Sequence, residues 1–157
     1  MKVCNRKAKF NYHLLETFEA GVVLSGAEVK SARQGWINFA DSFIRLDAQG
    51  EAWLHNLHIN PYPYANNKEY EHKRTRKLLL HHEELRKIAQ EIKKNNLTLV
   101  PVSCYTRAHQ IKLKIALARG KRAFEKREAI KKRDYQRELE QKLKLSNGDV
   151  SIDGRAL

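Results

Sequence analysis

Apolar and polar residues alternate over several short stretches of the chain, and this two-residue period predicts β-strands. The clearest stretch is residues 110–118, where two lysines alternate with isoleucine and leucine. Residues 97–105 form a similar apolar stretch just before it. Because only residues 106–109 separate the two stretches, the pattern predicts a β-hairpin.

Further apolar stretches predict strands on the N-terminal side of this hairpin. They cover residues 10–18, 22–24, 42–47 and 51–59, and a shorter apolar run follows at 77–80. Residues 19–21 predict a turn between the first two strands, and residues 48–50 predict a hairpin between the next two. In the strand at 51–59, Trp53, Leu57 and Ile59 are expected on one face.

A helical period is clearest in residues 82–95, where the two asparagines at 95 and 96 favour the end of a helix. Its apolar residues at i, i+3, i+4 and i+7 are Leu85, Ile88, Ala89 and Ile92. Residues 27–34 are also helical in character, and Gly35 is placed as a C-terminal cap. Residues 5–8 predict a turn or a single helical turn.

These elements predict a mostly β fold with peripheral helices. Six short antiparallel strands fit a small closed barrel of the oligonucleotide-binding (OB) type over residues 1–120, with a helix closing it. An open α+β sheet is the alternative.

A strong positive charge favours an anionic partner. The chain of 157 residues has a net charge of +13, of which residues 1–118 contribute +8. Such a balance points to nucleic acid first and to an anionic membrane second. No apolar run approaches the roughly 18 residues of a membrane span. The N-terminus lacks an apolar leader segment, so we expect a cytoplasmic protein.

Sequence signatures of catalysis and of bound cofactors are absent. The chain contains no phosphate-binding loop, dinucleotide-binding glycine motif, nucleophile elbow or zinc-protease motif. Cys4 and Cys104 are the only cysteines and are expected to be free thiols. The seven histidines are scattered. We therefore predict a protein that is not an enzyme and has no metal or other cofactor.

Residues 119–144 form the most charged stretch, with eleven Lys or Arg and five Asp or Glu. Tyr135, Leu139 and Leu143 repeat every four residues, but so narrow an apolar stripe makes a helix marginal in water. We predict that residues 121–157 form a basic tail that is disordered alone and becomes helical on RNA. The alternative is a permanently solvated tail that aids solubility.

A second basic cluster, residues 73–77, precedes the apolar run at 77–80 and is expected to contact phosphates. The alternative is a solvated basic loop. Unpaired bases stack on aromatic rings, and Phe124 and Tyr135 are the better candidates because the tail offers little core. Tyr12 and Tyr105 are expected in the core, and the roles of Tyr62 and Tyr64 stay open.

Six strings, in order along residues 5 to about 135, resemble those of the SsrA-binding protein family, also called small protein B. They are NRKA at 5–8, FEAG at 18–21, Gly26 with EVKS at 28–31 and Arg33, DSF at 41–43, RTRKLLL at 74–80, and ARGKR at 118–122 with KR at 126–127. Each string alone is weak, but six in register are specific.

The resemblance implies an OB-type barrel that binds the tRNA-like domain of transfer-messenger RNA (tmRNA). It implies delivery of that RNA to stalled ribosomes for trans-translation, that is, ribosome rescue and peptide tagging. The barrel would mimic the missing anticodon arm. The tail would fold in the empty mRNA path near the decoding centre of the small subunit. We expect a monomer that does no covalent chemistry.

The resemblance also assigns site residues. Asn5, Glu19 and Leu79 match RNA-contact positions of the family. Plausible further RNA contacts are the basic residues Arg6, Lys7, Lys30, Arg33, Arg74, Arg76, Lys77, Lys121 and Arg122. The expected ribosome contacts of the tail are Phe124, Glu125, Lys126, Arg127, Lys131, Lys132, Arg133, Tyr135 and Leu143. Glu125 stands where the family usually has Asp.

Two rival classes remain testable. A structural ribosomal or initiation-factor-like protein with a similar barrel would associate with ribosomes without tmRNA. An RNA-modifying enzyme would need a nucleotide, metal or nucleophile site.

Overall fold

The structure, a computed structural model, describes residues 1–65 and 70–148, with side chains described as far as Leu143. The strands are β1 (Lys2–Cys4), β2 (Tyr12–Val22), β3 (Ile37–Asn38), β4 (Phe43–Leu46), β5 (Ala52–His55), β6 (His58–Ile59), β7 (Arg76–Leu79), β8 (Thr98–Arg107) and β9 (Gln110–Gly120). The helices are α1 (Arg6–Asn11), α2 (Gly26–Arg33), α3 (His82–Asn95) and α4 (Ala123–Gly148). The chain divides into two compact units, Met1–Gly120 and Lys121–Leu157.

Six antiparallel strands of the first unit form a closed ring in the order β8–β4–β5–β7–β2–β9, and β9 pairs back onto β8. The mostly β prediction is therefore confirmed, and the open-sheet alternative does not fit, because β9 has a partner on each side. The shortest strand pairing in the ring is that between β4 and β8, which consists of the single pair Ile44 and Leu99. Further along β8, the edge at residues 103–105 is paired with β1 instead.

The core fills the inside of this ring. It includes the fully or nearly fully buried side chains of Leu54, Leu99, Leu113 and Ile115, contributed by three strands. Ile88 of α3 is also fully buried in this core. Burying one such side chain stabilises the fold by about 1.5–3 kcal/mol. The predicted helix over residues 82–95 is confirmed, and it ends where Asn96 adopts a left-handed conformation (φ 49°).

The predicted turn at residues 19–21 is wrong, because β2 runs through it without interruption. Glu19, Ala20 and Gly21 pair with consecutive residues of β9. Gly21 is needed for a different reason, since a Cβ atom there would lie 3.2 Å from the Cβ atom of Leu79 on β7. The glycine thus permits a close approach of two strands rather than a change of direction.

The predicted strand over residues 51–59 is broken into β5 and β6 at Asn56, which has φ 55°. The expected face of Trp53 is wrong for the same reason. Ala52 and Leu54 are fully buried, whereas Trp53 is only partly buried. β6 then leaves the ring and pairs with β3 in a separate two-stranded sheet.

α1 covers a second, smaller apolar cluster. Ala8 packs there with Val100, Val102, Ala116 and Ala118 of β8 and β9. The side chain of Asn5 accepts a hydrogen bond from the backbone N–H of Ala8 and so begins the helix. A helical turn predicted at residues 5–8 is thus confirmed as the first turn of α1.

None of the helices that the structure describes is both long and apolar enough to cross a lipid bilayer. Likewise, the described part of the chain contains no group of three or more His, Cys, Asp or Glu side chains placed to hold a metal ion.

Candidate nucleic-acid interface

The face of β2, β8 and β9 that points away from the core carries the candidate site. Residues that pair directly across antiparallel strands point to the same face. Two rows of such residues run across the sheet. They are Cys4, Ser103, Lys114 and Glu19 in the first row, and Lys2, Tyr105, Lys112, Gly21 and Leu79 in the second. Because adjacent strands lie about 4.8 Å apart, the five strands of the second row span about 19 Å. We call these nine residues the outer β face.

Two residues assigned from the resemblance, Glu19 and Leu79, meet at one end of the outer β face. Together with Gly21 and Lys112 they line a groove of about 630 Å³. Leu79 is 54% exposed, which leaves a large apolar side chain uncovered at the groove. The fold therefore places a carboxylate and an uncovered apolar side chain side by side, although sixty residues separate them in sequence.

Glu19 is held by two side chains of β8. The hydroxyl of Tyr105 donates a hydrogen bond to Oε2 of Glu19, and Nη1 of Arg107 lies 3.4 Å from the same oxygen. The Tyr105 hydrogen bond is the main reason why the pKa of Glu19 is lowered. Burial opposes it as the next largest effect, and the charges of Arg107 and Lys112 lower the pKa further. Glu19 is therefore an ionised hydrogen-bond acceptor at neutral pH.

The expectation that Tyr105 belongs to the core is wrong. Its ring lies on the outer β face and is only partly buried. Burial and the neighbouring Glu19 carboxylate raise the pKa of Tyr105 to about 12. Its hydroxyl consequently stays protonated and donates across the physiological range.

Four cations on or next to the outer β face were missed by the sequence reasoning. They are Lys2, Arg107, Lys112 and Lys114, on β1, β8 and β9. The alternation in residues 110–118 did contain the signal. If isoleucine and leucine of that strand point into a core, its lysines must point outward together on the opposite face.

α1 adds further exposed cations, among them the two predicted RNA contacts, Arg6 and Lys7. Asn5 itself is only 6% exposed. Its amide nitrogen donates to the carbonyl oxygen of Pro101 at 2.8 Å, and its side-chain oxygen accepts from Ala8 at 3.1 Å. In this structure Asn5 orients α1 against β8 rather than presenting its side chain to solvent.

The basic cluster at residues 73–77 is divided by the pleat of β7, so it does not form the continuous positive patch that was expected. Arg76 is 0% exposed. Its guanidinium donates to Oε1 of Glu28 at 2.7 Å and to the carbonyl oxygen of Leu57 at 2.7 Å. The prediction that Arg76 contacts RNA is wrong, because the alternation of β7 turns this side chain into the protein.

Arg74 also turns toward Glu28 and forms an ion pair with Oε2, although its side chain stays about one third exposed. Lys77 points outward, pairs with Glu51 and lies over the ring of Trp53 at 6.0 Å from the ring centroid. Both cations therefore have partners within the protein while remaining partly accessible.

Glu28 of α2 pairs with both Arg74 and Arg76. It was missed by the sequence reasoning. It is fully buried and completes a capping box, in which its carboxylate accepts from the backbone N–H of Ser25 at 2.8 Å. Burial raises the pKa of Glu28, but hydrogen bonds from Arg74, Ser25 and Arg76 outweigh that effect and lower it overall. The Ser-x-x-Glu spacing could have predicted the cap, but not the arginine partners.

Lys30 and Arg33 are both exposed on α2. The ammonium of Lys30 lies 5.1 Å from the ring centroid of Tyr62. Arg33 donates to the carbonyl oxygen of His109 at 3.0 Å and so ties α2 to the β8–β9 turn. Val29 of the same helix lines the groove beside Glu19 and Leu79.

The second unit contains the tail residues of the prediction. α4 presents exposed apolar side chains at Phe124, Tyr135, Leu139 and Leu143. At about 100° per residue these four fall within one narrow stripe. The cations Lys126, Arg133 and Arg137 fall on the opposite side of the helix. Of the remaining predicted tail cations, Arg127 and Lys131 lie between these two faces, and Lys132 falls within the stripe between Leu139 and Leu143.

The start of α4 is organised by Glu125, whose carboxylate accepts a hydrogen bond from the backbone N–H of Arg122 at 2.7 Å. Such a bond satisfies one of the unpaired N–H groups at a helix N-terminus. Lys121 and Arg122 directly precede the helix. Residues 149–157, which belong to the predicted tail, lie outside the described residues.

Comparison with known proteins identifies the family. A family model described as SmpB protein matches residues 2–145. An SsrA-binding protein of Persephonella marina is 47% identical over 140 residues, covering 89% of this chain and 91% of that protein. An SsrA-binding protein of Mycolicibacterium gilvum is 48% identical over 139 residues, covering 88% and 84%.

A solved structure concerning tmRNA–SmpB and the bacterial ribosome is similar in fold as well as in sequence. Its chain is 43% identical, with a TM-score of 0.65 over 78% of this chain and 85% of that one. The match over nearly the whole chain, at this level of identity, leads to one conclusion: the chain belongs to the SmpB family of SsrA-binding proteins.

Proposed function

We propose that this protein binds the tRNA-like domain of tmRNA through its outer β face and delivers that RNA to stalled ribosomes in trans-translation. The observation that carries the proposal is the meeting of Glu19 and Leu79 in one groove, surrounded by outward-facing lysines. Membership of the SmpB family supports the choice of RNA.

Each group of the outer β face suits a different part of an RNA. Lys112 and Lys114 supply positive charge for phosphates, which fix position without reading sequence. The Glu19 carboxylate repels phosphate, so its partner is a donor such as a base amino group or a ribose 2′-OH. Leu79 offers an apolar surface on which a base or ribose packs. Arg6 and Lys7 extend the positive charge along α1.

The other assigned residues take supporting roles in this proposal. Asn5 positions α1, and Arg33 and Lys30 hold and extend the α2 side of the groove. Arg74 and Lys77 add less positive charge, because each is already paired with a glutamate while its side chain stays partly exposed. Arg76 is left out of the RNA contacts because it is buried.

The ring of six strands with a helix packed into its core supports the narrower assignment of an OB-type barrel for residues 1–120. We infer that this barrel takes the place of the anticodon arm that the tRNA-like domain lacks. In that arrangement the outer β face holds the RNA while the opposite side of the ring turns toward the ribosome.

The tail, residues 121–157, is proposed to enter the empty mRNA path of the small subunit. Helical structure over Ala123–Gly148 supports the capacity of this segment to form a helix. Its exposed rings, Phe124 and Tyr135, are suited to stacking on unpaired bases. The cations on the opposite side are suited to phosphates. The proposal retains the expectation that the tail orders when it binds.

A salt titration of binding to the tRNA-like domain, with ordinary tRNA as competitor, tests this proposal. The full-length protein is compared with two variants, Leu79→Asp and Leu15→Asp. Leu15→Asp is the control, because it adds the same charge at a different exposed leucine, which lies on β2. We expect Leu79→Asp to weaken binding at least tenfold and Leu15→Asp to bind like wild type. Equal affinities for all three proteins would rule out the groove as the RNA site.

The salt dependence itself gives a second readout. Lys114→Met should lower the slope of log affinity against log salt by about one, because one phosphate contact is lost. Leu79→Asp should lower affinity both because it adds a negative charge and because it removes the apolar surface on which a base or ribose packs. If the affinities of all variants depend only on their net charge, and ordinary tRNA competes equally, the protein is a general basic RNA binder and the proposal fails.

A further inference from the structure

We propose that Tyr105 is a positioning residue that holds the Glu19 carboxylate in the orientation in which it meets RNA, an inference that rests on the proposed function. Tyr105 is not assigned by the family resemblance or by the sequence pattern. It is singled out by the hydrogen bond it makes across the outer β face.

The geometry of the strands explains how the contact arises. Glu19 on β2 pairs with Lys114 of β9, whereas Tyr105 on β8 pairs with Lys112 of β9. The two side chains therefore start two strand spacings apart, about 10 Å, with β9 between them. The long phenol ring crosses β9 on its outer side and delivers its hydroxyl to Oε2 of Glu19.

A glutamate on an open sheet surface without such a partner would sample several rotamers. Lys112 and Lys114 lie on the intervening strand and offer alternative ion-pair partners at close range. With Tyr105 bound to Oε2, the carboxylate is fixed at the rim of the groove beside Leu79. Oε1, whose contact within the protein is a long one of 3.5 Å from Nη1 of Arg107, is then the oxygen that accepts from RNA. Lys112 and Lys114 keep their charge for phosphates.

Ionisation of the pair supports this role. Since the pKa of Tyr105 is raised to about 12, its hydroxyl stays protonated and is a donor across the physiological pH range. The same hydrogen bond is the largest cause of the lowered pKa of Glu19. Removal of the hydroxyl should therefore raise the pKa of Glu19 and make it protonate at higher pH.

The groups that face Glu19 come from several elements. Lys112 and Lys114 lie on β9, and Tyr105 and Arg107 lie on β8. His81 and Glu84 at the start of α3, together with His109 of the β8–β9 turn, line the groove. Apart from Tyr105 itself, these groups are common to wild type and to a Tyr105→Phe variant, so a difference between the pH profiles of the two proteins reports on Glu19.

The test is a double-mutant cycle on the full-length protein, with Glu19→Ala, Tyr105→Phe and the double variant, read out as affinity for the tRNA-like domain. Tyr105→Phe should weaken binding about tenfold, the size expected for a lost hydrogen bond to a charged group. In the Glu19→Ala background it should have no further effect. Tyr70→Phe is the control, because its hydroxyl donates to the carbonyl oxygen of Ile59 instead.

The pH profile supplies a readout that a merely structural role would not move. Wild type should lose affinity only as pH falls through the lowered pKa of Glu19. Tyr105→Phe should lose affinity at higher pH, and Tyr70→Phe should follow wild type.

Each other outcome overturns the inference in a recognisable way. If Glu19→Ala weakens binding but Tyr105→Phe does not, the groove is the RNA site and Tyr105 does not position it. If the two effects add in the double variant, Tyr105 acts independently of Glu19. If neither Glu19→Ala nor Leu79→Asp changes affinity, the RNA site itself is misplaced and the proposed function fails with it.

Discussion

Replacement of Arg76 by Met should destabilise the fold without acting on the RNA site. Arg76 is completely buried and donates to the Glu28 carboxylate at 2.7 and 3.0 Å. It also donates to the backbone carbonyls of Leu57 at 2.7 Å and Arg74 at 2.9 Å. Methionine fits a similar volume but donates no hydrogen bond, so these acceptors lose a partner in the interior.

The expected cost follows from this loss. Removal of one partner of a buried ion pair typically costs about 3–5 kcal/mol, because the remaining charge stays buried without full compensation. In urea, where small proteins lose about 1–3 kcal/mol per molar denaturant, the unfolding midpoint should fall by about 2 M. Arg76→Lys should lie between wild type and Arg76→Met, since lysine keeps the charge but not the two-pronged geometry.

Equilibrium urea unfolding followed by circular dichroism measures this, with Lys73→Met as the control. Lys73 is an exposed cation three residues earlier in the chain, so its loss should leave the midpoint nearly unchanged. RNA affinity of folded Arg76→Met should match wild type. The reasoning is refuted if Arg76→Met unfolds like Lys73→Met and instead binds RNA more weakly, because Arg76 would then be a phosphate contact.

The same cluster predicts how stability depends on pH. The pKa of Glu28 is lower in the folded protein than in the unfolded chain. Its contribution to stability is therefore complete above the unfolded pKa, about 4.3, and is lost as pH falls through the folded pKa. Arg76→Met should reduce this acid dependence, which urea titrations at several acidic pH values would reveal.

Three further predictions concern other parts of the chain. Removal of residues 121–157 should leave affinity for the tRNA-like domain within a few fold but abolish peptide tagging on stalled ribosomes, and retained tagging would exclude the tail from the mechanism. Tyr135→Ala should reduce tagging while RNA affinity stays constant, with Ile130→Ala on another side of α4 as its control. Asn5→Ala should cost about 1 kcal/mol or more in unfolding experiments, because it removes a helix cap and leaves the buried carbonyl of Pro101 without its side-chain donor.

Regular periodicity made three of the longer elements, α3, β8 and β9, predictable. The bounds of α3 follow from its apolar spacing, and β8 and β9 follow from alternation and the short turn between them. The two-residue strand β3 could not be predicted, because two residues do not establish a period. β6 lies within the strand predicted over residues 51–59, but its separation from β5 at Asn56 was missed. The continuity of β2 was missed because glycine favours turns, whereas Gly21 serves the packing of Leu79.

The candidate site was only partly predictable for a related reason. The resemblance assigned Glu19 and Leu79, and the fold brings them together. Residue type alone predicted phosphate contacts for Arg74 and Arg76. Both arginines instead form ion pairs with the buried Glu28, which the sequence did not reveal as their partner. The alternation of β9 shows that its lysines share one face, but only the strand register shows that Tyr105 and these lysines lie on the same face as Glu19.

The short strand β1 has a consequence for how this protein behaves in concentrated solution. Where β4 departs from β8 beyond Leu99, the backbone of residues 103–105 would present unpaired N–H and C=O groups, and β1 occupies them. Exposed strand edges recruit edges of other molecules. A deletion or bulky fusion that displaces Lys2–Cys4 should therefore promote self-association through β8, even though the interior of the ring is untouched.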